Sequence, residues 1–306
     1  WRWVFFVNVP IALIGVLLGM RQLRAQRDPD LTDKRIRDLD FPGIILIALL
    51  VTGVSLAIDD VSVAPGSVAK TILPAVVGFA ALIGFVLWES RSPWPILPPQ
   101  LWRNQRFTAL VIAATIANTG LCVMIFLATL YLQETRGLSG LTAGLLFIPA
   151  AVGLSVGGPI SGRIAPLFPG QRVMTVAMLA GAVTLFALAF TQNLVVYLLL
   201  MGLASFLLGL GFQFGNIAVQ TVVPASQAGS GAGVLLTVMV TTGGIGVVAA
   251  AASIEALSPT GPPSQYAMTV TYLQWGVIVA VLGLIFGLWQ WRRADPVSAG
   301  SQVGSA

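Results

Sequence analysis

Between residues 107 and 133, Thr115, Asn118, Thr119, Cys122, Phe126, Thr129 and Gln133 recur at steps of three and four. That spacing sets them along one face of a helix. Inside an apolar run such a face needs a partner. It lines a water-filled cavity, or it hydrogen-bonds to neighbouring helices for about 1 kcal/mol per contact. Thr115, Asn118, Cys122 and Phe126 are the candidates to touch a bound molecule, Asn118 foremost. A second group, Gln213, Asn216 and Gln220, stands at i, i+3 and i+7, the first two within LLGLGFQFGN. Its amides can bind polar groups without fixing a charge; Gln213 and Asn216 join the candidates, with interhelical bonding as the competing reading.

Titratable groups are scarce at depth. Asp59, Asp60 and Glu255 fall at the ends of apolar runs on one side and Glu89 on the other, while Lys70 is close enough to an end to snorkel. A charge near a bilayer centre costs roughly 2.5 to 3.5 kcal/mol on insertion scales and commonly marks an ion path. Glu255 is the candidate proton carrier, against the reading of an interfacial acid at a helix end. The sequence has no His and a single Cys, Cys122, so zinc sites and Ser-His or Cys-His pairs lack their usual ligand or base. A phosphate loop of the form GxxxxGK[ST] is absent too. No catalytic residue, metal or cofactor is expected, and no enzyme activity.

The elements that must position these residues follow from composition. The chain of 306 residues is 57% hydrophobic and 9% charged, with a mean hydropathy of +0.91; soluble proteins carry about 25% charged residues. Nine apolar runs are long enough to cross a bilayer as helices: Trp3–Met20, Phe41–Ile58, Ala69–Trp88, Phe107–Gln133, Leu141–Gly162, Val173–Phe190, Leu194–Ile217, Gly229–Ile254 and Met268–Trp291. Nothing alternates with period two, which argues against a barrel. The expected class is an all-α integral membrane protein with nine transmembrane helices.

The formal charge of +5 is spread unevenly. Of the 16 Lys and Arg, all but Arg2, Lys70 and Arg136 fall in loops on one side. This asymmetry identifies the cytoplasmic side and argues against nucleic acid as a partner. All eight Trp lie near run ends and all four Tyr lie towards the other side, as interfacial belts require. The chain therefore enters from outside and ends in the cytoplasm. By loop length it divides into residues 1–20, one span; 21–106, a charged loop, two spans and a connector; 107–293, a six-helix bundle; and 294–306, a polar tail read as disordered. The pairs Gly153 and Gly157, Gly158 and Gly162, and Gly229 and Gly233 have the spacing that lets helices approach closely. Pro10, Pro74, Pro149 and Pro159 can bend their helices.

Several stretches resemble one family. WRWVFFVNVPIALIG, through Trp1, Arg2, Trp3, Phe5, Asn8 and Pro10, is similar to the segment leading into the sixth span of the fourteen-span drug:proton antiporter branch of the major facilitator superfamily. YLQETRGLSGLTAGLLFIPAAVG, through Tyr131, Leu132, Gln133, Gly137, Ser139, Ala143 and Gly144, resembles the segment joining the first two spans of its second half. GGPISGRIAPLFPGQR keeps Gly158, Gly162, Arg163, Gly170 and Arg172 of the superfamily's inner-loop motif, with Ala165 and Pro166 where an acid is often found. VVPASQAGSGAGVLLTVMVTTGGIG is similar to the start of the penultimate span. The resemblance implies a partial major facilitator fold lacking the first five spans, because one span, two inserted and six more make nine of fourteen. It implies an efflux transporter of a bacterial plasma membrane, coupled to protons and working by alternating access. Its partners would be the lipid bilayer, bulky amphipathic or cationic substrates, and a missing N-terminal half. Export of a metabolite such as an amino acid or siderophore is the first alternative, and a non-transporting scaffold or signalling subunit the second.

Overall fold

The computed structural model describes residues 2–25, 40–63, 68–92, 99–224, 228–259 and 261–293. The chain forms two units, Trp1–Phe41 and Pro42–Ala306. The first is helix α1 (Arg2–Ala25), with Pro10 inside it and with Phe6, Leu13, Leu17 and Leu18 exposed. Arg2, Trp3, Asn8 and Pro10 of the first motif lie on α1; Trp1, most of the charged loop and the tail lie outside the described residues.

The second unit begins with α2 (Phe41–Val63) and α3 (Val68–Glu89). A short α4 (Pro99–Arg103) leads into α5 (Gln105–Leu130), which ends in a π-helical turn, Tyr131–Thr135. Then come α6 (Gly140–Leu146), α7 (Ile148–Ile164), α8 (Gly170–Phe190), α9 (Leu194–Val222), α10 (Ala228–Leu257) and α11 (Gln265–Arg293). Every regular element among the described residues is helical. Among the described residues, seven stretches are long and apolar enough to cross a membrane: Ile72–Glu89, Gln105–Thr135, Gly140–Ile164, Gly170–Phe190, Leu194–Val222, Ala228–Leu257 and Gln265–Arg292. Phe41–Ala57 is a shorter apolar helix and α1 is not among the seven, so the described residues account for seven of the nine expected spans.

Helix α5 is the hub, packed on α8, α9, α10 and α11. Its small residues Ala113, Ala114 and Ala117 are fully buried and bring neighbouring backbones near, while Met124 and Leu127 fill the layers above. The core continues through Met174, Met178 and Leu185 of α8 and Met201, Leu208 and Phe214 of α9. The periphery is aliphatic instead of polar, with Val176, Val183, Leu199 and Val240 exposed. That arrangement suits lipid, which is as apolar as leucine and leaves close packing to hold helices together.

The expected single helix Leu141–Gly162 is two helices, broken at Phe147. Pro149 causes the break, since its ring would clash with the carbonyl four residues back and it is tolerated in a first helical turn. Helix α9 seats the break, with the space a side chain would take at Gly202 lying 3.0 Å from the Pro149 carbonyl oxygen. One turn on, Gly153 has no room for a Cβ, because it would strike the Gly202 carbonyl oxygen. The expected close approach is thus realised at Gly153. At Gly229 and Gly233 the space a side chain would take has no neighbour within 4 Å among the described residues.

Candidate functional site

The register of α5 is set at its start, where the Asn104 side-chain oxygen accepts from the backbone N–H groups of Arg106 (3.1 Å) and Phe107 (3.4 Å). From there the alanine face meets α9, and the polar stripe turns to α10 and α11. Asn118 donates from Nδ2 to the Met239 carbonyl of α10 at 3.0 Å. Gly243 makes that approach feasible: a Cβ there would come to 3.1 Å from Asn118 Nδ2 and 3.2 Å from Cys122 Sγ. Cys122 is a half-buried free thiol, and Phe126 is half-buried against the core. Thr129 turns its hydroxyl to the Ile125 carbonyl of its own helix, and Gln133 is exposed.

Thr115 differs from these. Its Oγ1 is buried without a hydrogen-bond partner, at the wall of a cleft of about 190 Å³ shared with Ile116, Thr119, Trp275, Val279 and Leu282.

The α9 group lies elsewhere. Gly211 and Gly215 face Ala117 and Ala114 of α5, and Gln213, two residues from Gly211, is rotated about 200° away. It lies half-buried near Gly158 of α7. Asn216 donates to the Phe212 carbonyl of its own helix at 3.0 Å. The structure therefore brings Thr115, Asn118 and Cys122 together on the α10 and α11 side of α5, with Gln213 towards α7 and Asn216 bonded within α9. None of the clefts described here is walled by both groups. Glu255 is half-buried in the last turn of α10, and its carbonyl accepts from the Ser258 N–H at 3.2 Å.

At the end of the bundle opposite the arginine-rich one, a cluster emerges that the sequence pattern did not reveal. Tyr197 and Tyr272 are buried with their hydroxyls 2.6 Å apart. Tyr131 stacks on Tyr197, centroids 4.2 Å apart. Its hydroxyl accepts from Arg136 Nε at 2.9 Å and Nη2 at 2.7 Å, and Nη2 also donates to the Gln192 carbonyl. The starts of α9 and α11 are thereby tied to the end of α5. The one sequence signal was that the tyrosines share a side.

The motif after Tyr131 gains a local explanation. The π turn is followed by Gly137 at φ 65°, a conformation that glycine adopts without strain. Ser139 then caps α6 by accepting from the Thr142 N–H at 3.2 Å, and Ala143 is fully buried, whereas Gly144 faces open space. In the inner-loop motif, Arg163 is exposed in the last turn of α7. Arg172, in the first turn of α8, walls a cleft with Thr175, Gln290 and Trp291. Among the described residues no three His, Cys, Asp or Glu are grouped to hold a metal ion.

The sequence profile of the Major Facilitator Superfamily matches residues 1–251. An Acurin A biosynthesis cluster MFS-type transporter of Aspergillus aculeatus is 30% identical over 165 residues, 53% of this chain and 30% of that protein. The "Probable multidrug resistance protein EmrY" of Escherichia coli is 29% identical over 184 residues, 60% of this chain and 35% of that protein. The "Putative multidrug resistance protein MdtD" of Yersinia pestis is 25% identical over 299 residues, 94% of this chain and 62% of that protein. The chain thus spans from under a third to just over three fifths of the length of these relatives.

Proposed function

The chain belongs to the major facilitator superfamily, and from that premise we propose that it is part of a proton-coupled exporter of drugs or antibiotics working by alternating access. The observation that carries this reading is the similarity to MdtD along 94% of the chain, joined by the similarity to EmrY. The chemistry of the bundle agrees. A half-buried amide, a thiol and threonines on an otherwise apolar α5 suit bulky amphipathic compounds, which need apolar contact and a few polar anchors. The end bearing Arg103, Arg106, Arg163, Arg172 and Arg292 then faces the cytoplasm, by the positive-inside rule. Glu255 at the opposite end is the candidate proton carrier. Substrates would be cationic or amphipathic, and the bundle would work against a second set of helices from the same transporter.

A test in the full-length parent uses Asn118→Ala and Gln213→Ala. Each should change the ranking of exported compounds in a resistance profile, and collapse of the proton gradient should stop export. Unchanged profiles in both variants would make these amides packing groups, and export that survives collapse of the gradient would overturn proton coupling. Export of a self-made metabolite is the second reading, favoured by the similarity to the transporter of the Acurin A cluster. A substrate screen separates the two.

A further inference from the structure

A cleft of about 430 Å³ lies between α5 and α11 at the arginine-rich end. Ile112 and Ile116 of α5 and Leu282 and Ile285 of α11 form its length, and Trp102 and Trp289 stand where the helices end. Ile116 and Leu282 also wall the smaller cleft that holds Thr115, so the two clefts adjoin along the helix pair. From Gln105 to Ile116 the helical rise is about 16 Å, which is close to one leaflet's share of a hydrocarbon core about 30 Å thick. The groove opens sideways: Ile112 is 49% exposed and Ile285 57%.

The chemistry at its end is specific. Arg103 and Arg106 are exposed beside Trp102 and Gln105 at the α4–α5 corner. Arg292 is exposed and continues the face Leu282, Ile285, Trp289 of α11 at steps of three and four. Neither α4, the first turn of α5, nor α11 carries an acid. We propose that this groove binds an anionic phospholipid of the leaflet at the arginine-rich end, with one acyl chain along α5 and α11 and the phosphate held by Arg103, Arg106 and Arg292. A basic pocket between transmembrane helices is the setting in which such headgroups are held. The proposal needs only that the bundle spans a membrane, so it stands or falls apart from proton-coupled export.

The test is native mass spectrometry of the purified chain in detergent, titrated with dioleoylphosphatidylglycerol or dioleoylphosphatidylcholine. The glycerol lipid should be retained in preference to the choline lipid. Each of Arg103→Gln, Arg106→Gln and Arg292→Gln should lower its retention about fivefold without altering retention of the choline lipid. These are exposed positions, so folding is not at stake. Ile112→Phe, which fills the groove, should reduce quenching of tryptophan fluorescence by the same glycerol lipid with brominated chains. Equal retention of the two lipids, or indifference to all three arginine changes, would overturn the site. Binding of tetraphenylphosphonium in the groove with no retention of the glycerol lipid would overturn it in favour of a substrate pocket.

Discussion

The hydroxyls of Tyr197 and Tyr272 are each buried and bond to one another. Removing one leaves the other facing an apolar surrounding, at a cost of about 1 to 3 kcal/mol. Tyr197→Phe and Tyr272→Phe should each lower stability by that amount in detergent unfolding, whereas the double variant should cost clearly less than the sum. Additive losses would show that each hydroxyl has its own partner. The placement of these residues was only half legible in the sequence. The steps of three and four placed Asn118 and Cys122 on one helix face, and the structure keeps them there. Which helix that face would meet depends on Gly243 lying opposite, 121 residues from Cys122, and local periodicity carries no such information. The tyrosine cluster was hidden for the same reason, since Tyr131, Tyr197 and Tyr272 sit on three different helices.

Among the elements, the contact of α7 with α9 is set by backbone meeting backbone at Gly153 and Gly202. Gly153→Ala should force the pair apart and cost about 1 to 3 kcal/mol. Gly162→Ala, with nothing within 4 Å, should be neutral or slightly stabilising. Equal melting temperatures for the two variants would refute that distinction. The long helices were readable because a run of about 20 apolar residues has few other stable forms in a membrane. The break before Pro149 was readable only as a bend, because the sequence does not say that Gly202 makes room for two separate segments. The π turn at Tyr131–Thr135 left no readable mark at all, since its residues also suit an ordinary α-helix.

For the whole molecule, the six spans from residue 105 onward form one connected core, with Asn118 turned to α10 and Gln213 towards α7. The relatives are longer than this chain, and on the proposed reading their further helices would supply the other wall of an alternating-access cavity. Vesicles holding only these residues should show no drug efflux above background; efflux comparable to that of the parent would refute this. One further property follows from the helix lengths. Helix α8, with 21 residues, rises about 32 Å and matches a typical hydrocarbon thickness with no slack. Helices α9 and α11, with 29 residues each, rise about 44 Å. A thinner bilayer is accommodated by tilting the long helices, and α8 packs against both of them. Hydrophobic mismatch should then be taken up as shear across the interfaces of α8, so that bilayers of different thickness give different unfolding midpoints for the bundle.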